Sequence, residues 1–227
     1  MKKAFALLPV AMFVVSACAD KTVSAPPTVL AIARAASSNA GLTLHPSGFG
    51  EASYAAWRPR EGMADSRGNA VMALYFQKMT STATFAAGFA VIEGVDGTPS
   101  EQLGLAWSHR EDGHCGAGAP RWNVTLENPN TGARQTLFLG CYAAAHTQEG
   151  SSSGHAWCRD TQPSLPAGFI VRRLAINFDE GNDTPNPPPV GCGQEQLEGG
   201  FVYLDNITIS INGVPNVFTS PADNGTN

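Results

Sequence analysis

Clusters of basic residues are missing from this chain. Its 227 residues hold 14 Lys and Arg against 19 Asp and Glu, a formal net charge of −5, with no basic run. Phosphate backbones are gripped by clustered Lys and Arg, so nucleic-acid binding is disfavoured. Charged residues are scarce overall, at 15%, while Gly (24) and Pro (16) are plentiful. That balance fits a turn-rich β-sandwich better than a helical protein. No C-x-x-C pair occurs among the five cysteines, which argues against a thiolate zinc site. The E-x-D-x-x-E pattern of sandwich glycosidases is absent as well. The acids cluster in turns instead, as Glu111/Asp112, Asp179/Glu180 and Glu195/Glu198, so a glycoside hydrolase ranks last among the functional readings.

The apolar stretch at residues 4–15 is too short for a relaxed membrane span but has the length of a secretory h-region, with Lys2 and Lys3 as its positive flank. Val15, Ser16 and Ala17 then precede Cys18. An aliphatic residue and two small ones before a cysteine resemble the bacterial lipobox. The resemblance implies removal of residues 1–17, lipid transfer to the Cys18 thiol and acylation of the new amino end. The lipid bilayer becomes the first expected partner. One acyl chain binds only marginally, at ~0.8 kcal/mol per buried methylene, whereas several anchor firmly. Ala19 stands where an Asp would imply inner-membrane retention, so the expected location is the outer membrane or cell surface if the organism is Gram-negative.

Four cysteines remain, all beyond residue 110. An even number in an oxidising compartment argues for disulfides, with three possible connectivities. Cys115–Cys141 and Cys158–Cys192 are favoured because each closes a local loop, adding ~2–4 kcal/mol.

Residues 18–47 read as the lipidated cysteine and a flexible tether, containing APP, ASSNAG and HPSG and one short helical candidate at 29–36. Residues 48–218 read as the folded domain and 219–227 as a disordered tail. Within the domain, NAVMALYFQ (69–77) is apolar on both faces, like a central strand. Leu103, Leu105 and Trp107 share one face by the two-residue period. RWNVTLEN (121–128) buries Trp122, Val124 and Leu126 and turns through PNTGA into RQTLFLGC, a hairpin. FIVRRLAINF (169–178) and FVYLDNITISING (201–213) close the domain. About eight strands and little helix give an all-β, two-sheet antiparallel sandwich, jelly-roll-like, stapled by two disulfides.

The last strand poses a register problem. Phe201, Tyr203, Ile207, Ile209 and Ile211 fall on one face, and so does Asp205. A carboxylate facing a core must be paired, hydrogen-bonded or metal-bound. A bulge at Asp205–Asn206 would switch faces and bury Val202 and Leu204 instead. Arg172 offers an ion pair. A calcium ion held by Asp179, Asp183 and Asp205 is the third solution.

VYLDNITISING after a long loop is similar to the end of secreted jelly-roll modules, including carbohydrate-binding modules with the galactose-binding-like fold. In several of those the last-strand Asp ligates structural calcium, a role that would fall on Asp205. HCGAGAPRWNVTL, TLFLGC and NFDEGND resemble a group of uncharacterised bacterial secreted proteins over residues 69–213, a likeness that brings no activity.

Other motifs carry less. Gly150–Gly154 matches G-x-S-x-G, but a serine-rich loop surrounds it where a strand and helix are required. HREDGHC (109–115) reads as a polar turn ending in a disulfide cysteine, and CGAGAPR lacks the third glycine of a dinucleotide site. Trp107 and Trp122 belong to the core by alternation. Trp57 and Trp157 sit in irregular segments, where an exposed ring could stack on a sugar, with Arg58, Arg159 and Asp160 as hydrogen-bonding neighbours. The expected function is a non-catalytic, envelope-anchored binding module for a glycan. The alternative is an assembly lipoprotein that binds another envelope protein. No cofactor is required, and calcium enters only as the structural alternative at Asp205.

Overall fold

A computed structural model describes residues 41–65, 71–183, 192 and 199–224. The leader, Cys18, residues 19–40 and the helical candidate at 29–36 lie outside them. Among the described residues the chain is all-β: twelve strands and three short 3-10 turns. The strands are β1 (Thr43–Phe49), β2 (Ser53–Arg58), β3 (Ala73–Lys78), β4 (Ala87–Glu93), β5 (Leu103–Arg110) and β6 (Arg121–Glu127). They continue as β7 (Arg134–Gly140), β8 (Ala145–Ser152), β9 (His155–Thr161), β10 (Ile170–Phe178), β11 (Phe201–Ile211) and β12 (Val214–Phe218).

These form two antiparallel sheets packed as a jelly-roll-like sandwich. The smaller has the order β1-β4-β10-β6-β7, the larger β2-β3-β11-β5-β9-β8, with β12 also paired to β11. Both disulfides, Cys115–Cys141 and Cys158–Cys192, have the connectivity favoured from loop closure. The sandwich begins earlier than residue 48. β1 pairs with β4 from Thr43 onward and buries Leu44 in the core, although Pro46 lies within it. An edge strand tolerates proline because one side of its ladder is unpaired. The far end also extends past 218: Thr219 is buried, and the Asn224 side chain bonds both the N–H and the C=O of Leu44 (2.8 and 3.3 Å). Residues 219–224 are therefore fixed against β1, not a free tail.

The core lies between the sheets, where the alternating apolar positions meet. Leu74, Phe76, Leu105, Trp107, Val202 and Leu204 come from the larger sheet; Ile92, Trp122, Val124, Leu126, Leu174 and Ile176 come from the smaller. Trp107 stacks on Trp122 across the interface, with ring centroids 4.9 Å apart and planes within 19°. At about 25 cal/mol per Å², such large rings contribute more than any aliphatic pair.

β11 resolves its register by a bulge. Its pairing with β5 shifts between Asp205 and Thr208, and Asn206 takes a left-handed φ of +46°. Val202 and Leu204 point inward before the bulge, and Ile207 and Ile209 point inward after it, all fully buried. Asp205 is satisfied by backbone: its carboxylate accepts from the N–H of Asn206 (2.6 Å) and of Met63 (2.8 Å). Arg172 pairs with Asp96 and Glu127. Arg159 locks the bulge from β9, donating to the Asn206 carbonyl (2.7 Å) and the Thr208 hydroxyl (2.6 Å).

Replacing Asn206 tests this. Asn206→Val puts a branched Cβ at positive φ and should lower stability by about 1–3 kcal/mol, while Asn206→Gly should change it by less than about 1 kcal/mol. Urea unfolding of both variants reads the difference; equal effects would contradict a strained bulge.

Candidate functional site

The outer face of the larger sheet carries a continuous group of aromatic and arginine side chains. The two-residue period puts Leu74 and Phe76 of β3 into the core and turns Tyr75 and Gln77 outward. On β2 the outward set is Tyr54, Ala56 and Arg58; on the first half of β11 it is Phe201 and Tyr203. Strand register brings them together: Tyr75 lies opposite Ala56 on one side and Tyr203 on the other, and Gln77 lies between Tyr54 and Phe201. The rings touch as a series. Tyr75 is 4.6 Å from Tyr203, 5.8 Å from Tyr54 and 6.3 Å from Phe201, measured between centroids. Arg58 lies 5.5 Å from the centres of both the Tyr54 and Tyr75 rings and donates to the Tyr54 hydroxyl.

At the other end of this row the Arg110 guanidinium lies over Tyr203, 3.6 Å from its ring centre. Its guanidinium is held between Glu61 (2.5 Å) and Asp112 (2.6 Å). Burial works against the charged guanidinium, but the hydrogen bonds of these two carboxylates outweigh it and raise its pKa. Segment 59–65 bounds the face here. Glu61 reaches Arg110, the Met63 N–H reaches Asp205, and the Ala64 N–H reaches the Ser152 hydroxyl (2.6 Å) at the β8–β9 hairpin. Burial, then the neighbouring Tyr203 and Tyr54, push the Tyr75 phenol up to about 12; burial also raises that of Tyr203. The phenols therefore stay neutral and able to donate hydrogen bonds at physiological pH.

The residues singled out from sequence fall in different places. Arg58 lies on this face. Trp57, one residue away, has the opposite parity and packs against the core. Trp157 is on the outward side of β9 but is 0% exposed, its N–H donated to the Ser152 carbonyl (3.3 Å), so it offers no stacking surface. Arg159 is engaged in the bulge. Asp160 faces inward and is fully buried, accepting from Trp107 Nε1 (2.7 Å) and bonding His109 Nδ1 and His146 Nδ1 (2.7 Å).

The three aspartates considered for calcium do not converge. Asp179 makes a bidentate pair with Arg121 (2.5 and 2.7 Å), Asp183 accepts from the N–H and hydroxyl of Thr82 (2.6 and 2.8 Å), and Asp205 serves the bulge. Besides Arg121, this region holds the positive charge of Lys78, 1% exposed, whose ammonium donates to the carbonyls of Thr82, Thr84 and Asp179 (2.9, 2.8 and 2.7 Å). Two groups of potential metal ligands do occur among the described residues: His109, Cys115, Cys141 and Asp160, and His146, Cys158 and Cys192. Their cysteines are those of the two disulfides. In HREDGHC, His114 bonds Glu180 (2.5 Å) and Cys115 is in its disulfide. In Gly150–Gly154, Ser153-Gly154 is a two-residue hairpin turn with both φ positive, not a nucleophile elbow.

Tyr54, Tyr75, Phe201, Tyr203, Arg110 and Lys78 were missed by the sequence reading. The alternation in SYAAWR and ALYFQK held the signal: tyrosines alternate with the core-facing residues of each strand. What hid it was the treatment of YAAWRPRE as irregular.

No protein-family model matches the chain, and no curated protein matches it. Among solved structures, the chain is similar to the CBM22-1–GH10 modules of Clostridium thermocellum endo-1,4-beta-D-xylanase 10B in complex with xylohexaose. The identity is 12%, the TM-score 0.39, and the match covers 77% of this chain and 27% of that one. A likeness of that size does not establish a shared fold or role.

The buried carboxylate gives a pH test. His146 is raised from 6.5 chiefly by its hydrogen bond to Asp160, so its contribution is full below about 6.5 and fades as pH rises through the raised value. Burial opposes ionisation of Asp160, but the His109 and His146 hydrogen bonds prevail and lower its pKa from 3.8; its contribution is lost as pH falls through that lowered value. The melting temperature should be higher at about pH 5.5 than at about pH 8, and His146→Gln should shrink that difference. An unchanged difference in the variant would contradict the assignment.

Proposed function

We propose that the protein is a non-catalytic binding module held at the cell envelope, and that the outer face of its larger sheet takes a glycan. The observation that carries this reading is the contiguous set Tyr54, Tyr75, Phe201 and Tyr203 with Arg58 at its margin. Aromatic faces attract the C–H bonds of sugar rings, and phenol, amide and guanidinium groups supply directional hydrogen bonds to hydroxyls. Tyr54, Phe201 and Tyr203 are half-buried and Arg58 is exposed, while Tyr75 between them is 8% exposed, so the accessible part of the platform is its outer rings and Arg58. The two acids beside the platform, Glu61 and Asp112, both grip Arg110, which leaves them to a structural role and supports binding without catalysis. Anchoring through Cys18 would hold the module at the membrane, facing glycans of the envelope or its surroundings.

A second reading rests on a different surface. Phe85 is 88% exposed and packs on Phe49 at 4.9 Å, with Phe89 beside it. An apolar cluster of this kind suits another envelope protein. If that reading holds, Phe85→Ser should abolish a specific envelope crosslink that the wild-type protein forms.

For the glycan reading, Tyr54→Ala and Phe201→Ala should each weaken glycan affinity about tenfold or more in isothermal titration. Phe138→Ala, exposed on the other sheet, should leave it unchanged. Unaltered affinity in both platform variants would contradict the site. For the anchor, Cys18→Ala should end incorporation of labelled lipid and release the protein from membranes; continued labelling would contradict it.

A further inference from the structure

Arg58 is held in place but not neutralised. Its guanidinium donates to the Tyr54 hydroxyl and lies against two tyrosine rings. A guanidinium presents five N–H donors in a planar fork. No carboxylate makes an ion pair with Arg58 among the described residues, in contrast to Arg110 on the same face, which is held by Glu61 and Asp112. Two residues on, Arg60 is also exposed, in a left-handed conformation (φ +66°), and makes no ion pair among the described residues. The chain as a whole carries a net charge of −5 and has acids to spare for pairing. Arg58, exposed and without a carboxylate partner among the described residues, leaves positive charge open to solvent at the margin of the aromatic platform.

Planar geometry narrows the partner. Tyr54 and Phe201 flank Gln77 along one row, and Arg58 sits beside Tyr54. A pyranose resting on this row would bring a group on its ring edge to the Arg58 fork, where a carboxylate is bound by two parallel N–H···O bonds. Tyr75 and Tyr203 do not compete as anions, because phenols are neutral at physiological pH and burial only raises them further.

Resting on the glycan reading above, we infer that the ligand is an acidic polysaccharide, a chain of sugars bearing carboxylates, with Arg58 as the residue that selects for the charge. The hydroxyl contacts and ring stacking would serve any glycan; the unpaired guanidinium serves an anion.

The test is titration of the purified protein with polygalacturonate, dextran sulfate and neutral xylan, each at about 50 and about 500 mM NaCl. Polygalacturonate should bind, weaken at high salt, and lose about tenfold or more in affinity with Arg58→Gln, while Arg58→Lys retains part of it. Dextran sulfate bound through the same residue would support an anion-selective site that also admits sulfate. Neutral xylan bound as tightly as polygalacturonate, with no effect of salt or of Arg58→Gln, would overturn the inference while leaving the glycan reading intact. Polygalacturonate binding untouched by Arg58→Gln would overturn the role given to Arg58. Binding of none of the three would overturn both. Circular dichroism of Arg58→Gln keeps a loss of affinity distinct from a loss of fold.

Discussion

The structure depends on β11 turning the same face to the core along its whole length. A regular strand would bury either Val202 and Leu204 or Ile207 and Ile209, never both. One left-handed residue, Asn206, allows both, and Arg159 and the Met63 N–H hold the distortion from two directions. The consequence reaches the surface. Because Val202 and Leu204 point in, Phe201 and Tyr203 point out, next to Tyr75 and the β2 side chains. The aromatic platform is thus the outer side of a core packing solution.

Polar groups inside the sandwich are settled by the same economy of partners. Asp160 is buried with three donors around it from Trp107, His109 and His146, and Lys78 is buried with three backbone carbonyls. Each would be costly if left unpaired, and each ties together segments distant in sequence. Lys78 joins β3 to the turn at 82–84 and to the end of β10; Asp160 joins β9 to β5 and β8. The two disulfides lie close to the second of these networks, with Cys141 Sγ 3.3 Å from an Asp160 oxygen.

Periodicity made much of this legible beforehand. Trp122, Val124 and Leu126 alternate with polar neighbours, and they are buried on β6 with the hairpin to β7 as read. Leu103, Leu105 and Trp107 line the facing sheet, and the bulge was one of three solutions offered for Asp205. Strands at the edges were harder to see. β8, AHTQEGSS, has no buried apolar face to give a pattern, and β1 contains a proline, so by sequence alone both resemble loop or tether. The site was misplaced for a related reason. Tryptophan drew attention by residue type, whereas exposure was decided by strand parity: Trp57 faces inward, Trp157 is covered by its hairpin, and the smaller Tyr54 faces out. The calcium reading counted oxygen donors along the chain. The fold sends those donors to Arg121, Thr82 and the bulge, and places an ammonium near two of them, a matter of tertiary contacts that spacing alone does not reveal.

The central claim is that the outer face of the larger sheet is the binding surface. It is tested most directly by nuclear magnetic resonance of protein carrying labelled tyrosine and phenylalanine rings, titrated with an acidic oligosaccharide. Ring resonances of Tyr54, Tyr75, Tyr203 and Phe201 should shift together with one saturation curve, while Phe49, Phe85 and Phe138 stay still. Shifts confined to Phe49 and Phe85, or to Phe138 on the opposite sheet, would contradict it.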